Sequence, residues 1–296
     1  MSLHGEQLLP VTGLDSDGAG MRVGSVLRVV LTSTALVGSA IACTVDEEQE
    51  RALGADAAAQ IDRELPFVSD ADVSAFITAF GNALAQGIDD RSREWRFRVV
   101  NADQVNAFAL PGGFVYVNRG LIERAGNASE LAGVMGHEIA HVVLRHSAER
   151  LEKTQKTNIG VTLVCTLTSI CSSDAARVAI NVGGAALFAR FSRQDEFEAD
   201  SAAVGITSRA GFNPDGIATM FAKLLSDRAR QPASVEGWFS SHPLEEDRIG
   251  AVKRVIQSTP AANASSLAND DPAFRAFQER LRSLPAPPAS PAGLPQ

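Results

Sequence analysis

The chain has 296 residues, of which 45% are hydrophobic and 21% charged, enough to bury the core of one or two domains. Its formal net charge is -8, and it contains no long run of lysine and arginine. The composition therefore argues against a nucleic-acid-binding protein.

Residues 21–43, MRVGSVLRVVLTSTALVGSAIAC, have the pattern of an export signal. Two arginines precede an apolar run that ends in small residues and is too short for a membrane span. The ending AIAC resembles a bacterial lipoprotein signal, with Ala40 where leucine is more usual. Cys43 is therefore either a lipidation site or part of an ordinary signal peptide. We expect residues 1–43 to be a leader and signal peptide that directs the protein to the bacterial periplasm.

Before the central motif, the sequence predicts two helices and a small sheet. Residues 46–64 are charged and rich in alanine, and residues 69–86 place their apolar side chains on one face, so both segments indicate helices. Residues 95–101 alternate as in a strand. NAFALPGGFVYVNRGL, residues 106–121, indicates a strand, a Pro-Gly-Gly turn and a second strand.

A stretch rich in valine, alanine and glycine, residues 158–191, contains Cys165 and Cys171. In an oxidising compartment the two cysteines could form a disulfide, and two buried thiols are the alternative. Neither has the C-x-x-C spacing of a cysteine zinc site. Because Asp174 and Arg177 interrupt the stretch, we predict a pair of packed helices or a mobile cover and no membrane span.

Helices dominate the remaining sequence. They are predicted at residues 129–153, 192–209, 213–230, 243–257 and 272–284. Ser129 is the expected N-cap of the first, and Gly211 follows the end of the second. The fold class is therefore α+β and mainly α-helical. The expected domains are a main domain at 44–260, a C-terminal helix at 261–284 and a disordered Pro- and Ala-rich tail at 285–296.

GHEIAHVVLRH, residues 136–146, contains three of the five histidines. On a helix, His137 and His141 share one face, so both imidazoles can reach one ion at roughly 2 Å. Glu138 lies beside that ion and can pass a proton from a zinc-bound water to a leaving amine. This H-E-x-x-H spacing indicates a zinc site, and a surface helix with two unrelated histidines is the alternative. His146 follows His141 by five residues, so we expect it to point away from the ligands and to be solvated or locally bonded.

A catalytic zinc site needs a third protein ligand, and SRQDEFEAD, residues 192–200, offers one. Glu196 and Asp200 are four apart on a predicted helix. Glu196 can bind the metal while Asp200 supports a histidine from behind. Acidic residues on a helix are more often a solvated face, and we assign Asp195 and Glu198 to such a face.

GHEIAH, EFEAD and SHPLEEDR, with NAFALPGGFVYVNRGL before them, resemble in this order the gluzincin zinc metallopeptidases of the HtpX, BepA and CAAX-prenyl-protease type. The resemblance covers roughly residues 95–256. It implies a gluzincin-like domain with a small sheet beside the active-site helix, and one Zn²⁺ per chain. The implied roles are metal ligand for His137, His141 and Glu196, general base for Glu138 and support of a histidine for Asp200.

The closer resemblance is to the exported soluble bacterial members, which degrade misassembled outer-membrane proteins. We find none of the multiple spans of the HtpX and CAAX types, so a prenylated substrate is not expected. The exported members carry a C-terminal helical-repeat domain, which is not evident after the last motif here. Substrate choice would then depend on the hairpin, on residues 158–191 or on a separate recruiting partner.

The resemblance also implies a role for the hairpin, because an extended polypeptide can add to the edge of a strand through main-chain hydrogen bonds. Residues 107–110 or 114–117 would supply that edge, and a hairpin with no substrate role is the alternative. The expected substrate residues are Ala107, Phe108, Ala109 and Leu110, with Gly112 and Gly113 in the turn that sets the register.

SHPLEEDR, residues 241–248, contains two further candidates, His242 and Arg248. In exported relatives the matching histidine can occupy the open position of the zinc or stabilise the oxyanion. Ser-His-Pro also commonly opens a helix, so a capping role is the alternative. Arg248 resembles a family arginine that pairs an acidic group near the site, and a surface salt bridge is its alternative.

Together these features predict a zinc endopeptidase that hydrolyses peptide bonds in misfolded or misassembled cell-envelope proteins. The alternative is a latent, chaperone-like assembly factor that binds unfolded envelope proteins at its edge strand while His242 plugs the zinc. A third possibility is a different kind of zinc hydrolase that uses the same helix. The expected partner is an extended polypeptide, with no nucleic acid, and lipidation of Cys43 would attach the protein to a membrane.

Overall fold

The computed structural model describes residues 46–86, 88, 93–150, 152–153, 190–243, 246–263 and 265–287. These residues belong to one compact unit, Ala42–Gln296. Several predicted features lie outside them: the export signal with Cys43, the pair Cys165 and Cys171, nearly all of the 158–191 stretch, and the tail beyond residue 287.

Two helices open the described chain, as the sequence predicts: α1 (Glu47–Glu64) and α2 (Ala71–Ala85). Each begins after an aspartate whose carboxylate accepts a hydrogen bond from the backbone N–H three residues on. The distances are 2.8 Å for Asp46 and 3.1 Å for Asp70. These bonds satisfy donors that the first turn of a helix otherwise leaves unpaired, so both start points are fixed locally.

A three-stranded sheet follows, made of β1 (Arg96–Val100), β2 (Ala107–Leu110) and β3 (Phe114–Asn118). The strand order is β1-β3-β2, with β1 parallel and β2 antiparallel to β3. Gly112 and Gly113, in the turn between β2 and β3, have φ angles of 87° and 102°, which favour glycine. Within the described chain β2 pairs only with β3, so β2 is an edge strand of the sheet.

A short helix, α3 (Arg119–Arg124), which the sequence analysis missed, leads from β3 to the central helix α4 (Ala128–Val143). All residues of α4 up to Val142 are buried, and the helix packs against β2 and against the helices that follow. The N-cap of α4 is Asn127, whose side chain accepts the N–H of Glu130 at 3.0 Å. The prediction of Ser129 as N-cap is therefore wrong by two residues, because an amide oxygen caps as well as a hydroxyl.

The prediction of one continuous helix over 129–153 is also wrong. The chain leaves the helix after Val143, and Arg145 takes a left-handed conformation with φ 60° before residues 146–150 become helical again. The Arg145 guanidinium donates to Glu50 of α1 at 2.6 Å. This ion pair ties α1 to the end of α4 and helps to hold a backbone conformation that non-glycine residues rarely adopt.

Five helices and a 3₁₀ turn complete the described chain. They are α5 (Arg193–Arg209), α6 (Asp215–Arg230), α7 (Pro232–Ser241), α8 (Glu246–Ser258), the turn Pro260–Asn263 and α9 (Pro272–Ser283). α5 ends before Gly211, as predicted, and this glycine has a φ of 86°. α7 was not predicted. Among the described residues, no helix combines the length and the hydropathy needed to cross a bilayer. The predicted fold class, α+β and mainly helical with a small sheet, is confirmed.

Candidate metal centre

Four buried side chains meet where α4, α5 and the end of α7 come together. His137 and His141 lie one turn apart on α4, Glu196 lies on α5, and His242 is the C-cap residue of α7. One ligand atom of each lies within 4.8 Å of the others. None of the four residues is more than 3% exposed. Three of them are the ligands expected from the sequence, and the fourth is the histidine expected to approach the zinc.

The distances between these atoms suit a small tetrahedral ion. His137 Nε2 lies 3.0 Å from His141 Nε2 and 3.4 Å from His242 Nδ1. Glu196 Oε1 lies 3.4 Å from His141 Nε2 and 3.0 Å from His242 Nδ1. Ligand atoms at about 2.0–2.1 Å from a tetrahedral zinc are themselves about 3.3–3.4 Å apart. Three imidazoles and one carboxylate at this spacing therefore fit zinc in both geometry and donor type.

The ionisation of these groups also favours metal binding. Burial lowers the pKa of His141 well below its usual range. Burial alone would raise the pKa of Glu196, but His242, His141 and His137 outweigh it and lower that pKa well below its usual range. A neutral imidazole and an ionised carboxylate are the forms that bind a metal.

Asp200 and Arg248 lie behind the four side chains. Asp200, one turn after Glu196 on α5, places Oδ1 at 2.9 Å from His137 Nδ1, although the angle is bent from that of a regular hydrogen bond. Arg248 of α8 donates to both oxygens of Asp200, each at 2.8 Å, and also pairs with Glu196. The exposed fraction of Arg248 is 3%, so the surface salt bridge considered as its alternative is excluded.

Glu138 lies beside the cluster and outside the set of four. Burial raises its pKa, and this effect outweighs the lowering by His242, by His137 and by the backbone N–H of Ala109. Its Oε1 is 3.4 Å from His242 Nε2 and has no hydrogen-bond partner in the part of the chain that the structure describes. A buried carboxylate with a raised pKa and a free oxygen is suited to accept and release a proton.

The His242 imidazole stacks with two aromatic rings. The ring centroids of Trp238, one turn earlier on α7, and of Phe191 lie 4.6 Å and 5.3 Å from that of His242. Burial alone would lower the pKa of His242, but Glu196 and Glu138 outweigh it and raise that pKa. The capping alternative placed His242 at the start of a helix. In the structure it is the C-cap residue of α7, and its N–H donates to the carbonyl of Trp238.

The edge strand β2 packs against α4. The carbonyl of Asn106 accepts from β3 at Asn118, and the carbonyl of Leu110 accepts from Gly113 in the turn. Because backbone groups alternate in direction along an antiparallel strand, those of Ala107 and Ala109 point to the other edge. The effect of the Ala109 N–H on the pKa of Glu138 agrees with this direction. The outward edge of β2 therefore lies on the side of Glu138 and α4.

Sequence reasoning missed four residues of this region: His146, Glu198, Trp238 and Phe191. His146 is 2% exposed and contacts His141, whereas it was expected to point away from the ligands. Glu198, assigned to a solvated face, contacts His146. The i,i+4 spacing of Trp238 and His242 was a usable signal once α7 is recognised as a helix.

Comparison with known proteins agrees with this geometry. A sequence model described as Peptidase family M48 matches residues 73–256, which is more than half of the chain. The chain belongs to peptidase family M48. The family expected from the motifs is therefore confirmed.

Three relatives indicate how far the similarity extends. The chain is 31% identical over 237 residues to the "Beta-barrel assembly-enhancing protease" of Yersinia pestis, covering 78% of this chain and 49% of the relative. It is 30% identical over 173 residues to the "Mitochondrial metalloendopeptidase OMA1" of Schizosaccharomyces pombe, covering 58% and 50%. It is 26% identical over 213 residues to the "Metalloprotease LoiP" of Escherichia coli, covering 72% and 82%. The chain spans about half the length of the first two of these relatives.

Proposed function

We propose that the chain is a zinc-dependent endopeptidase that hydrolyses peptide bonds in misfolded or misassembled cell-envelope proteins. One observation carries the proposal: His137, His141 and Glu196 converge in a buried cluster, with the separate carboxylate of Glu138 beside it. A protein that only binds zinc for structure has no need of a buried base with a raised pKa next to the ligands.

His137, His141 and Glu196 would hold one Zn²⁺ per chain. When bound, such an ion lowers the pKa of a water to about 7 and polarises a carbonyl. Glu138 takes the proton from the attacking water and returns it to the leaving nitrogen. Its raised pKa makes it a stronger base than an ordinary carboxylate, which helps it to accept that proton. Asp200 orients His137, and Arg248 holds Asp200 in place.

The substrate would bind as an extended strand along β2. Ala107 and Ala109 direct their backbone groups away from β3, and the half-buried Ala109 lies next to Glu138. Pairing at this edge would align a scissile carbonyl with the cluster through main-chain bonds, with little demand on the side chains of the substrate. Phe108 and Leu110 bond towards β3 and would support the strand, and Gly112 and Gly113 set its register.

The proposed substrate class and location follow from the relatives and from the leader. Several relatives are named as proteases that enhance β-barrel assembly, and barrels of that kind belong to outer membranes. The leader, residues 1–43, supports export to the periplasm, and lipidation of Cys43 would add a membrane anchor. A separate partner protein would then recruit substrates to the enzyme.

The test is metal content together with cleavage of an unfolded protein. The purified full chain is expected to contain about one zinc and to cleave casein, and removal of zinc by a chelator should stop cleavage until zinc is restored. A chain that binds no zinc would remove the basis of the proposal. Zinc binding without cleavage of casein would favour the second candidate.

The second candidate is a latent, chaperone-like assembly factor, and the position of His242 favours it. His242 Nδ1 lies 3.0 Å from Glu196 and 3.4 Å from His137, where it can fill the fourth ligand position. The position that a catalytic zinc keeps open for water would then be closed.

We expect the His242→Ala variant to cleave casein faster than the wild type, because the fourth position is freed. Initial cleavage rates at equal zinc content measure the effect, with Ser240→Ala, an exposed neighbour on α7, as the control. A slower rate at unchanged zinc content would contradict the plug and favour a role for His242 in stabilising the oxyanion.

A further inference from the structure

His146 lies directly behind the ligand His141. Its Nδ1 is 2.9 Å from Nδ1 of His141, and the residue is 2% exposed. The contact arises from the break in the helix, because the left-handed Arg145 turns the chain back so that His146 faces the ring one turn earlier. In a continuous helix, residue 146 would project from a different face than His141 and would not meet its ring.

The positions of the ring nitrogens determine which nitrogen of His141 and which nitrogen of His146 carries the proton when His141 binds a metal. His141 Nε2 faces the other ligands, at 3.0 Å from His137 Nε2 and 3.4 Å from Glu196. A neutral imidazole carries one N–H, so a lone pair directed at the metal leaves the proton on Nδ1. That proton can be donated to His146 Nδ1, which must then be unprotonated. The N–H of His146 consequently lies on Nε2.

His146 Nε2 points to a carboxylate that can accept this N–H. It lies 3.3 Å from Oε2 of Glu198, whose other oxygen accepts a hydrogen bond from Gln194 at 2.6 Å. The Glu198 side chain is 48% exposed, so the chain of bonds ends at the surface. The two histidines of α4 thus each have a carboxylate behind them. Asp200 Oδ1 lies 2.9 Å from His137 Nδ1, and Glu198 is reached from His141 through the imidazole of His146.

We propose that His146 is a positioning residue that, together with Glu198, fixes the tautomer and orientation of His141 for metal binding. The inference rests on the proposed function, because it requires that His141 binds the metal. Hydrogen-bond acceptors behind a ligand histidine raise its basicity and fix its ring, and their loss typically weakens metal binding or activity by about 10–100-fold. His146 acts through His141 and does not itself belong to the four candidate ligands.

The test compares the zinc affinity of the full chain with that of two variants, by competition with a chromophoric chelator. His146→Phe keeps the ring volume and removes the acceptor, so zinc should bind about 10–100-fold more weakly. His146→Asn places an amide oxygen where Nδ1 was, so it should recover most of the lost affinity. Thermal unfolding without zinc should be similar for all three chains, because packing is largely kept.

Two further measurements separate the proposed role from simple packing. In the zinc-loaded wild type, ¹⁵N chemical shifts should show His141 protonated on Nδ1, and this N–H signal should lose its hydrogen-bonded shift in His146→Phe. Glu198→Ala should weaken zinc binding less than His146→Phe, because water replaces a half-exposed carboxylate. Glu279→Ala, an exposed glutamate on α9, is the matched control and should bind zinc as the wild type does.

Wild-type affinity in His146→Phe would overturn the inference while leaving the proposed function intact. The same would follow if His146→Asn bound zinc as weakly as His146→Phe, since the acceptor would then not matter. Absence of zinc binding in the wild type would instead defeat the proposed function, and the inference with it.

Discussion

The Glu138→Gln variant is expected to bind zinc like the wild type and to lose casein cleavage by a factor of about 10²–10⁴. Glutamine has nearly the same shape as glutamate but does not accept a proton at neutral pH. Glu138 is outside the set of four candidate ligands, so its replacement leaves the metal site intact. Its buried position and raised pKa are what suit it to proton transfer. Loss of cleavage with unchanged zinc binding is therefore the result expected if Glu138 is the general base.

Zinc content and initial cleavage rates should be measured on the same preparations of wild type and Glu138→Gln. Glu279→Gln, an exposed residue on α9, is the matched control and should retain both properties. Substantial cleavage by Glu138→Gln would contradict the assignment of the base. Loss of zinc in this variant would instead point to Glu138 as a ligand.

The candidate ligands could be predicted from the sequence because their spacing is local. The pairs His137 and His141, and Glu196 and Asp200, are each four residues apart, so helical periodicity alone places each pair on one face. That the two pairs meet in space depends on tertiary packing. In the sequence, only the order of motifs shared with a known family indicated that they would meet. The structure brings both pairs together through the packing of α5 on α4.

The contacts of His146 could not be predicted in the same way. Leu144 and Arg145 both favour helices, so nothing in their propensities marks the end of α4 at Val143. The left-handed turn at Arg145 is held by Glu50, which lies 95 residues earlier in the chain. Tertiary contacts of this kind override the local preference for helix, and they cannot be identified from the sequence pattern.

Which strand forms the edge of the sheet also could not be predicted from the sequence. β2 and β3 are equally strand-like, and the hairpin leaves open which of them has a free edge. β1 decides the question, because it pairs in parallel with β3 and leaves β2 outside. A parallel pairing between strands 18 residues apart depends on the whole sheet and not on local periodicity.

The Arg248→Met variant is expected to lower the free energy of unfolding by about 3–5 kcal/mol, since it leaves buried carboxylates without their cation. Arg248 donates to both oxygens of Asp200 and pairs with Glu196, and all three residues are at most 3% exposed. Burial alone would lower the pKa of Arg248, but Asp200 and Glu196 raise it, so the guanidinium stays charged. Methionine keeps an apolar side chain similar to the aliphatic part of arginine and removes the charge.

Chemical denaturation in the presence of a chelator measures this effect, because bound zinc would add its own stabilisation. Arg248→Lys should fall between wild type and Arg248→Met, since an ammonium keeps the charge but loses the two parallel bonds to Asp200. Arg254→Met, an exposed arginine on the same helix, is the matched control and should change stability by no more than about 0.5 kcal/mol. An Arg248→Met chain as stable as the wild type would mean that Glu196 and Asp200 are neutralised by other groups. In that case the charge of Arg248 would not be what stabilises these two buried carboxylates in the folded chain.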